Sequence, residues 1–373
     1  MKYFKIISIN LTIFILLIFL LEIFLNLTNS YKKKSYNESE RYISLKEFPS
    51  NIDIYETPSD FYLQKKQNLE KKPYRIRTNN DSFIIGEDNL LSNDKVEIIF
   101  FGGSTTLCRY VDENKRFPYV VQKKLNDKLA NNIQVLNSAF TGKTSKLSFL
   151  DLVSKGVKYR PKVVVLMHNV NDLSLLQKTG SYDDAPKTRR LINYFYSENP
   201  NNVIQRLFPN TYRGLYIVKE SIFSKTTSNP NDEWKKYRDN SIIDNKILSD
   251  EFYKSITSFV TYAKNYNINV VLMTQFNRMK MDDKFVLETF YERGNDNAIE
   301  EDYIVNTMKS YSEFNEIIRK IAEEQNTGII DLDRLVPKNK DYIIDRVHVN
   351  DVGSELVGSI ISDYIYTKYF KND

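Results

Sequence analysis

Residues 96–106 read VEIIFFGGSTT, and this stretch decides the fold. The run from Val96 to Phe101 is short and almost wholly apolar, which is typical of a buried β-strand. Two glycines end the run, and Ser104 follows them where the chain must turn. Four further apolar runs predict strands, at residues 133–140, 162–167, 269–274 and 328–332.

Helical patterns separate these strands. Apolar residues recur at helical spacing over residues 117–129, 145–159, 251–266, 311–325 and 352–369. Strands that alternate with helices imply right-handed crossovers and a parallel sheet covered on both faces. We therefore predict an α/β fold with a mostly five-stranded parallel sheet. Ligands of such sheets bind beyond the carboxyl ends of the strands, so polar residues directly after a strand are the candidates for function.

The composition excludes several classes of protein. Among 373 residues, 53 Lys and Arg and 48 Asp and Glu give a net charge of +5, which does not indicate a nucleic-acid partner. One cysteine and two histidines exclude a disulfide framework, a cysteine zinc site and a histidine-rich metal centre. The chain also lacks the glycine- and lysine-containing loop that binds nucleotide phosphates. We therefore expect no metal and no cofactor.

The N-terminal segment is far more apolar than the rest of the chain. No charge occurs over residues 6–21, and after Glu22 the apolar run continues to Leu27. About 20 mostly apolar residues cross the core of a bilayer. A cleaved signal peptide and a buried core helix are the alternatives, but no alanine precedes Ala130 to form a cut site, and the run is not amphipathic. We predict a transmembrane anchor over residues 1–30 that contacts membrane lipid.

The rest of the chain divides into a linker and one domain. Residues 31–74 are polar, charged and free of glycine, which predicts a stalk. The α/β domain is predicted over residues 75–373. Two stretches, at about 173–250 and 281–309, are too long for plain connections and predict insertions over the strand ends. Lysines flank the N-terminal apolar run on both sides, so the positive-inside rule gives no membrane orientation.

Three residues at predicted element ends suit acyl transfer. This chemistry needs an exposed hydroxyl, a base that takes its proton and a group that fixes the tautomer of the base. Ser104 follows two glycines at a strand-to-helix turn, which leaves its Oγ accessible. His348 is one of only two imidazoles, and a turn can bring the carboxylate of Asp345, three residues earlier, to its Nδ1–H. We predict Ser104 as nucleophile, His348 as base and Asp345 as the partner of the base.

The tetrahedral intermediate also needs hydrogen-bond donors for its oxyanion. The predicted donors are the backbone N–H groups of Ser104 and Gly142 and the side-chain amide of Asn171. Taken singly, each motif has a structural alternative: a glycine pair can serve only to shape a turn, and Asn171 can cap a helix. His168 also follows a strand and is the rival base, but no Asp stands two to four residues before it. Cys108 is expected to pack rather than to react.

The order Ser104, Gly142, Asn171, Asp345-x-x-His348 resembles that of the SGNH hydrolase superfamily, the GDSL-type esterases and lipases. The Gly-Gly-Ser motif resembles the first block of that family in its GGS variant. The glycine, the Asn-Asp pair and the Asp-x-x-His pair are similar to the second, third and fifth blocks. The resemblance covers about residue 96 to the C-terminus, with the insertions unmatched.

One position departs from the family pattern: the third block usually begins with glycine two residues before its Asn, and here that residue is Asn169. The resemblance implies a flavodoxin-like, three-layer α/β/α sandwich and a Ser-His-Asp esterase. Membrane-anchored relatives usually face outward and act on acylated glycans or other envelope esters. A single-pass cell-membrane protein is therefore expected, with an extracytoplasmic domain that hydrolyses an O-acetyl ester of a glycan or another small ester.

Two alternatives remain open at this stage. The same serine, histidine and aspartate could transfer the acyl group to a cell-surface polysaccharide, as an O-acyltransferase does. The chain could also be a non-catalytic envelope assembly protein that has kept the hydrolase fold.

Overall fold

The computed structural model describes residues 2–27, 40–43, 45–86, 95–130, 132–183, 192–195, 210–211, 243–291 and 301–371. The chain divides into two compact units. The first, called here the N-terminal unit, comprises Met1–Ser44 and Ile192–Asp239. The second, called the α/β unit, comprises Leu45–Leu191 and Asn240–Asp373.

The elements of the described residues are numbered in chain order. The strands are β1 (Glu40–Ile43), β2 (Asp53–Glu56), β3 (Tyr74–Arg77), β4 (Lys95–Gly102), β5 (Ile133–Asn137), β6 (Val163–Met167), β7 (Ile192–Phe195), β8 (Asn269–Met273) and β9 (Gly328–Ile330). The helices are α1 (Lys2–Leu27), α2 (Asp60–Leu63), α3 (Ser104–Leu107), α4 (Phe117–Asn126), α5 (Ser145–Asp151), α6 (Val170–Thr179), α7 (Asn245–Asn265), α8 (Lys284–Tyr291), α9 (Glu301–Glu324), α10 (Leu332–Leu335) and α11 (Asp351–Ile365). Short 3-10 helices lie at Glu113–Lys115 and Val157–Tyr159, and π-helical turns at Leu152–Gly156 and Tyr366–Phe370.

The N-terminal unit contains α1 and an antiparallel pair formed by β1 and β7. The Glu22 carboxylate of α1 accepts hydrogen bonds from the backbone and side chains of Asn210 and Thr211, at 2.7–2.8 Å. No helix among the described residues has both the length and the apolar character needed to cross a membrane. The transmembrane part of the sequence prediction is therefore not supported, although the predicted segment is helical. The end of the predicted anchor, residues 28–30, lies outside the described residues.

A five-stranded sheet organises the α/β unit. Its strand order is β5-β4-β6-β8-β9, and every neighbouring pair is parallel. Counted along the chain this order is 2-1-3-4-5, that of flavodoxin-like folds, whose ligands bind where the order reverses, between the first and third strands. The predicted α/β class and its five-stranded parallel sheet are confirmed, and all five sheet strands are found where they were predicted, with ends that differ by a few residues. The site is therefore expected beyond the carboxyl ends of β4 and β6.

Helices cover both faces of the sheet. Phe100 of β4 points to one face, where it packs against Phe117 of α4 at a ring-centroid distance of 5.7 Å. Ile361 of α11 belongs to the same buried cluster. Phe101, one residue further along the strand, points to the opposite face and meets Phe259 of α7 at 5.2 Å. Burying each such side chain contributes roughly 1.5–3 kcal/mol, so the two faces hold the three layers together.

The α/β unit begins earlier in the chain than the sequence predicts. Residues 45–74 were assigned to a stalk, but Phe48 is buried and packs in a cluster with Ile76 of β3. Strand β2 pairs antiparallel with β3, in a register that places Asp53 opposite Arg77. The α/β unit starts at Leu45, so Phe48 and strand β2 belong to it and not to a stalk. Residues 31–39 of the predicted stalk lie outside the described residues.

The two predicted insertions also have different bounds. Helix α6 ends at Thr179, so the first insertion starts after this helix. Residues 192–239 of the insertion belong to the N-terminal unit. The second insertion contains α8 and the first turns of α9. Residues 184–191, 196–209, 212–242 and 292–300 lie outside the described residues.

Candidate active site

Two glycines place Ser104 at the carboxyl end of β4. The strand ends at Gly102, Gly103 precedes the short helix α3, and Ser104 is its first residue. A Cβ on Gly102 would come within 2.1 Å of Thr106 Oγ1, and a Cβ on Gly103 within 2.2 Å of Asn171 Nδ2. Both positions therefore require glycine, because neighbouring polar side chains approach the backbone too closely for any Cβ.

His348 and Asp345 lie on a tight turn just before α11. Ile343 and Val349 form an antiparallel bridge at the base of this turn. Asp345 Oδ1 accepts hydrogen bonds from the backbone N–H groups of Val347 and His348 at 2.8 and 2.7 Å. These two bonds fix the carboxylate beside the imidazole ring.

Ser104, His348 and Asp345 form a continuous hydrogen-bonded chain. His348 Nδ1 lies 2.7 Å from Asp345 Oδ2, and His348 Nε2 lies 2.9 Å from Ser104 Oγ. A carboxylate can only accept, so Nδ1 carries the proton and Nε2 is left to accept the hydroxyl proton of Ser104. The geometry predicted for these three residues is present, and it can deprotonate the serine.

The two other predicted residues, Gly142 and Asn171, line the same cavity as Ser104 and His348. The cavity has a volume of about 300 Å³. Gly142 has a φ of +72°, which other residues rarely adopt. The Asn171 amide donates to the carbonyl oxygen of Lys143 at 3.0 Å, which sets its orientation beside Gly103. The three residues predicted to supply oxyanion donors, Ser104, Gly142 and Asn171, therefore line one cavity.

A buried ion pair supports the loop that carries Gly142. Lys143 is fully buried, and its ammonium group contacts Asp151 and donates to the Ser138 carbonyl oxygen at 2.8 Å. Asp151 also accepts from Ser138 Oγ at 2.6 Å. Burial lowers the pKa of Lys143 from its ordinary value, against the opposing attraction of Asp151. The pair holds the chain on both sides of Gly142.

The departure at Asn169 leaves the turn after β6 intact. The Asn169 amide donates to the Tyr311 carbonyl oxygen at 2.9 Å and to Asn315 Oδ1 at 3.0 Å. The next residue, Val170, donates its backbone N–H to Gln275 Oε1 at 2.9 Å. These hydrogen bonds tie the end of β6 to α9 and to Gln275.

The rival base, His168, lies outside the cavity. It is 1% exposed, and its Nε2 lies 2.8 Å from Ser148 Oγ. Its Nδ1 lies 3.3 Å from Asp172, so its carboxylate partner follows it in the chain by four residues instead of preceding it. Burial alone would raise the pKa of Asp172, but His168 and hydrogen bonds from Ser145 and Tyr182 lower it. His168 therefore belongs to a buried polar cluster that a substrate cannot reach.

Several residues at the site were not predicted. Tyr62 of α2 and Arg109 line the cavity, and Lys66 contacts the Asp345 carboxylate. Tyr62 and Lys66 come from the segment predicted as a stalk. The aromatic residues of that segment, such as Phe48 and Tyr74, are the signal that could have indicated packing rather than solvation.

Cys108 lies at the edge of the cavity and packs in the buried core cluster. Burial raises the pKa of its thiol to about 11, so the thiol stays protonated and unreactive at neutral pH. Within the part of the chain that the structure describes, no group of three His, Cys, Asp or Glu side chains is arranged to hold a metal ion.

No family model matches the chain. No curated protein matches it either. Its structure is similar to that of an acetyl xylan esterase, at 19% identity and a TM-score of 0.41, with 72% of this chain and 100% of that chain covered. It is also similar to a lipase/acylhydrolase from Enterococcus faecalis, at 14% identity and a TM-score of 0.40, covering 73% and 96% of the two chains. A third similar structure is a variant of an acetyl xylan esterase from Geobacillus stearothermophilus, at 15% identity and a TM-score of 0.41, with 75% of this chain and 96% of that chain covered. Similarity at this level carries no conclusion about the reaction of this chain.

Proposed function

We propose that this chain is a serine esterase of the SGNH type, which cleaves a carboxylic ester through an acyl-enzyme on Ser104. One observation carries the proposal: Asp345, His348 and Ser104 are joined by hydrogen bonds of 2.7 and 2.9 Å on the wall of a cavity. The 2.9 Å between Ser104 Oγ and His348 Nε2 is within the range for proton transfer from a serine to a histidine, and the 2.7 Å bond to Asp345 orients the imidazole.

The first half-reaction acylates the serine. Ser104 Oγ forms a bond to the ester carbonyl carbon as its proton moves to His348 Nε2, and the carbonyl π electrons move to the oxygen. The N–H groups of Ser104 and Gly142 and the Asn171 amide stabilise this oxyanion. One such donor is worth about 2.7–4 kcal/mol of barrier. The intermediate then collapses, the bond to the alcohol oxygen breaks, and His348 gives its proton to that oxygen.

The second half-reaction releases the acid. His348 takes a proton from water, the water oxygen bonds to the acyl carbon, and the bond to Ser104 Oγ breaks as the proton returns to the serine. Asp345 holds the imidazole in the required tautomer and stabilises the imidazolium in both halves. The products are an alcohol and a carboxylic acid, and the serine is regenerated.

The cavity supports a short acyl group. Its volume of about 300 Å³ is at the lower end of the range for small-molecule sites. Tyr62 and Tyr110 line it with ring centroids 4.8 Å apart, and tyrosine combines an apolar face with a polar hydroxyl, which suits a sugar ring. We therefore infer an O-acetyl ester of a glycan as the substrate class. We expect kcat/KM for p-nitrophenyl acetate to exceed that for the octanoate by about tenfold or more.

Labelling with a fluorophosphonate probe tests the nucleophile and the base. Wild type should be labelled, and Ser104→Ala and His348→Ala should not. His168→Gln should still be labelled, because His168 lies outside the cavity. Equal labelling of wild type and Ser104→Ala would reject the proposal. Product analysis with a glycan acceptor present would separate hydrolysis from acyl transfer.

The location of the protein stays a prediction. The family resemblance favours an extracytoplasmic domain attached to a cell membrane. Membrane fractionation with alkaline extraction, followed by protease accessibility in intact cells, tests attachment and orientation separately.

A further inference from the structure

A lysine from residues 45–74, called here the entry segment of the α/β unit, contacts the carboxylate beside the candidate base. Lys66 follows α2 and is separated from Asp345 by 279 positions, yet its Nζ contacts Asp345 Oδ2. The two side chains are 10% and 8% exposed, so little water separates or screens them. The neighbouring Gln67 donates its backbone N–H to the Ile344 carbonyl oxygen at 2.8 Å, which fixes the segment against the same turn.

The contact completes the hydrogen bonding of Asp345. Oδ1 accepts from the backbone N–H groups of Val347 and His348, and Oδ2 accepts from His348 Nδ1 and from Lys66. A carboxylate offers about four acceptor sites, so these donors occupy them all. Lys66 and the imidazole share one oxygen, and this sharing distinguishes Lys66 from a lysine that only anchors a loop.

We propose that Lys66 is a positioning residue that tunes the basicity of His348 through Asp345. This proposal rests on the proposed esterase function. An ionised carboxylate beside an imidazole favours the imidazolium form, whereas a cation on the same carboxylate offsets part of that attraction. His348 consequently stays neutral, and able to accept the Ser104 proton, at lower pH than it would beside Asp345 alone.

Two further charged side chains, those of Arg109 and Arg346, line the cavity near His348, and each contacts another residue. Arg109 lines the cavity but is ion-paired with Glu56. Arg346 also lines the cavity, and its guanidinium lies over the Phe290 ring at 4.4 Å. The ion pair of Asp345 and Lys66 is in direct contact with the imidazole, so removing the Lys66 charge should affect the basicity of His348 most directly. Lys66 Nζ also lies over the Tyr62 ring, 4.9 Å from its centroid.

The test is the pH dependence of Lys66→Gln, which keeps a hydrogen-bond donor but removes the charge. The acidic limb of kcat/KM for p-nitrophenyl acetate should move to higher pH by about half to one pH unit. The NMR titration midpoint of the His348 imidazole in the full chain should move by the same amount. The chain has only two histidines, so His168→Gln assigns both signals. Lys66→Arg, which keeps the charge, should restore the wild-type midpoint.

The matched control is Lys71→Gln in the same segment. Lys71 pairs with Asp60 at 2.6 Å, but both side chains are more than half exposed, so its removal should leave the profile unchanged. An unshifted midpoint in Lys66→Gln, or an equal shift in Lys71→Gln, would overturn the inference. Lys66→Met is a second variant that removes the charge. If both Lys66→Gln and Lys66→Met fail to fold, the inference is also overturned, because the contact would then serve folding and not the basicity of His348. The NMR readout does not need turnover, so a failed esterase assignment is distinguishable from a failed tuning role.

Discussion

Gly103 lies directly against the side-chain amide of Asn171. A Cβ on Gly103 would meet Asn171 Nδ2 at 2.2 Å and the Lys143 carbonyl oxygen at 3.3 Å. The glycine before the candidate nucleophile thus makes room for a candidate oxyanion donor. The two residues follow neighbouring strands, β4 and β6, at the point where the strand order of the sheet reverses.

Gly103→Ala should therefore reduce activity by displacing Asn171. We expect kcat/KM for p-nitrophenyl acetate to fall by about 10²–10³, the usual cost of losing one oxyanion donor. The double variant with Asn171→Ala is the control: once the amide is gone, adding the methyl group should cost little more. If the two losses multiply instead, Gly103 does not act through Asn171.

His168→Gln should lower stability and leave the chemistry in place. The substitution removes the partner of buried Asp172, which should cost about 1–3 kcal/mol of unfolding free energy in urea titrations. The folded protein should keep its rate of fluorophosphonate labelling. His348→Gln is the matched comparison, with labelling abolished and stability nearly unchanged, because His348 is 25% exposed. Loss of labelling in folded His168→Gln would contradict this division of roles.

Lys143→Met should be among the most destabilising substitutions at the site. It leaves the Asp151 carboxylate fully buried without its cation, at an expected cost of about 3–5 kcal/mol. Lys146→Met, which removes the exposed pair with Asp183, should change stability by no more than about 0.5 kcal/mol. Chemical denaturation of both variants measures the difference, and similar losses would show that the buried pair has no special role.

The depressed pKa of Asp172 predicts acid sensitivity. Its pKa in the folded protein lies below the ordinary value of 3.8, so the folded state binds the proton less readily than the unfolded state. Its contribution to stability is therefore complete above that ordinary value and is lost as the pH falls through the folded-state value. The gap in unfolding free energy between wild type and Asp172→Asn should narrow as the pH falls below 3.8. A gap that stays constant between neutral pH and pH 3 would contradict this linkage.

The sheet could be predicted from the sequence because its strands are buried on both faces. Such strands appear as continuous apolar runs, as at residues 96–101, and need no knowledge of their neighbours. Strand β2 could not be predicted in this way, since three of its four residues are exposed. The pattern from Leu45 therefore predicts a stalk, although Phe48 and Tyr74 are buried within it.

The sequence predicts that site residues lie together only where they directly follow strands of the sheet. Ser104, Gly142 and Asn171 follow strands of one parallel sheet, so their carboxyl ends meet at the same edge. Lys66 gives no local signal, because its partner Asp345 lies 279 positions away. The pairing of His168 with Asp172 also crosses an element boundary, because His168 precedes α6 and Asp172 lies in its first turn.

The burial of Cys108 has a practical consequence for spectroscopy. It is the chain's sole native thiol, it is 5% exposed, and its pKa is raised to about 11. Maleimide dyes and nitroxide spin labels should therefore not react with the Cys108 thiol under ordinary coupling conditions. A cysteine introduced at an exposed position of the entry segment can then carry a single probe, with no need to build a cysteine-free background that would disturb the core.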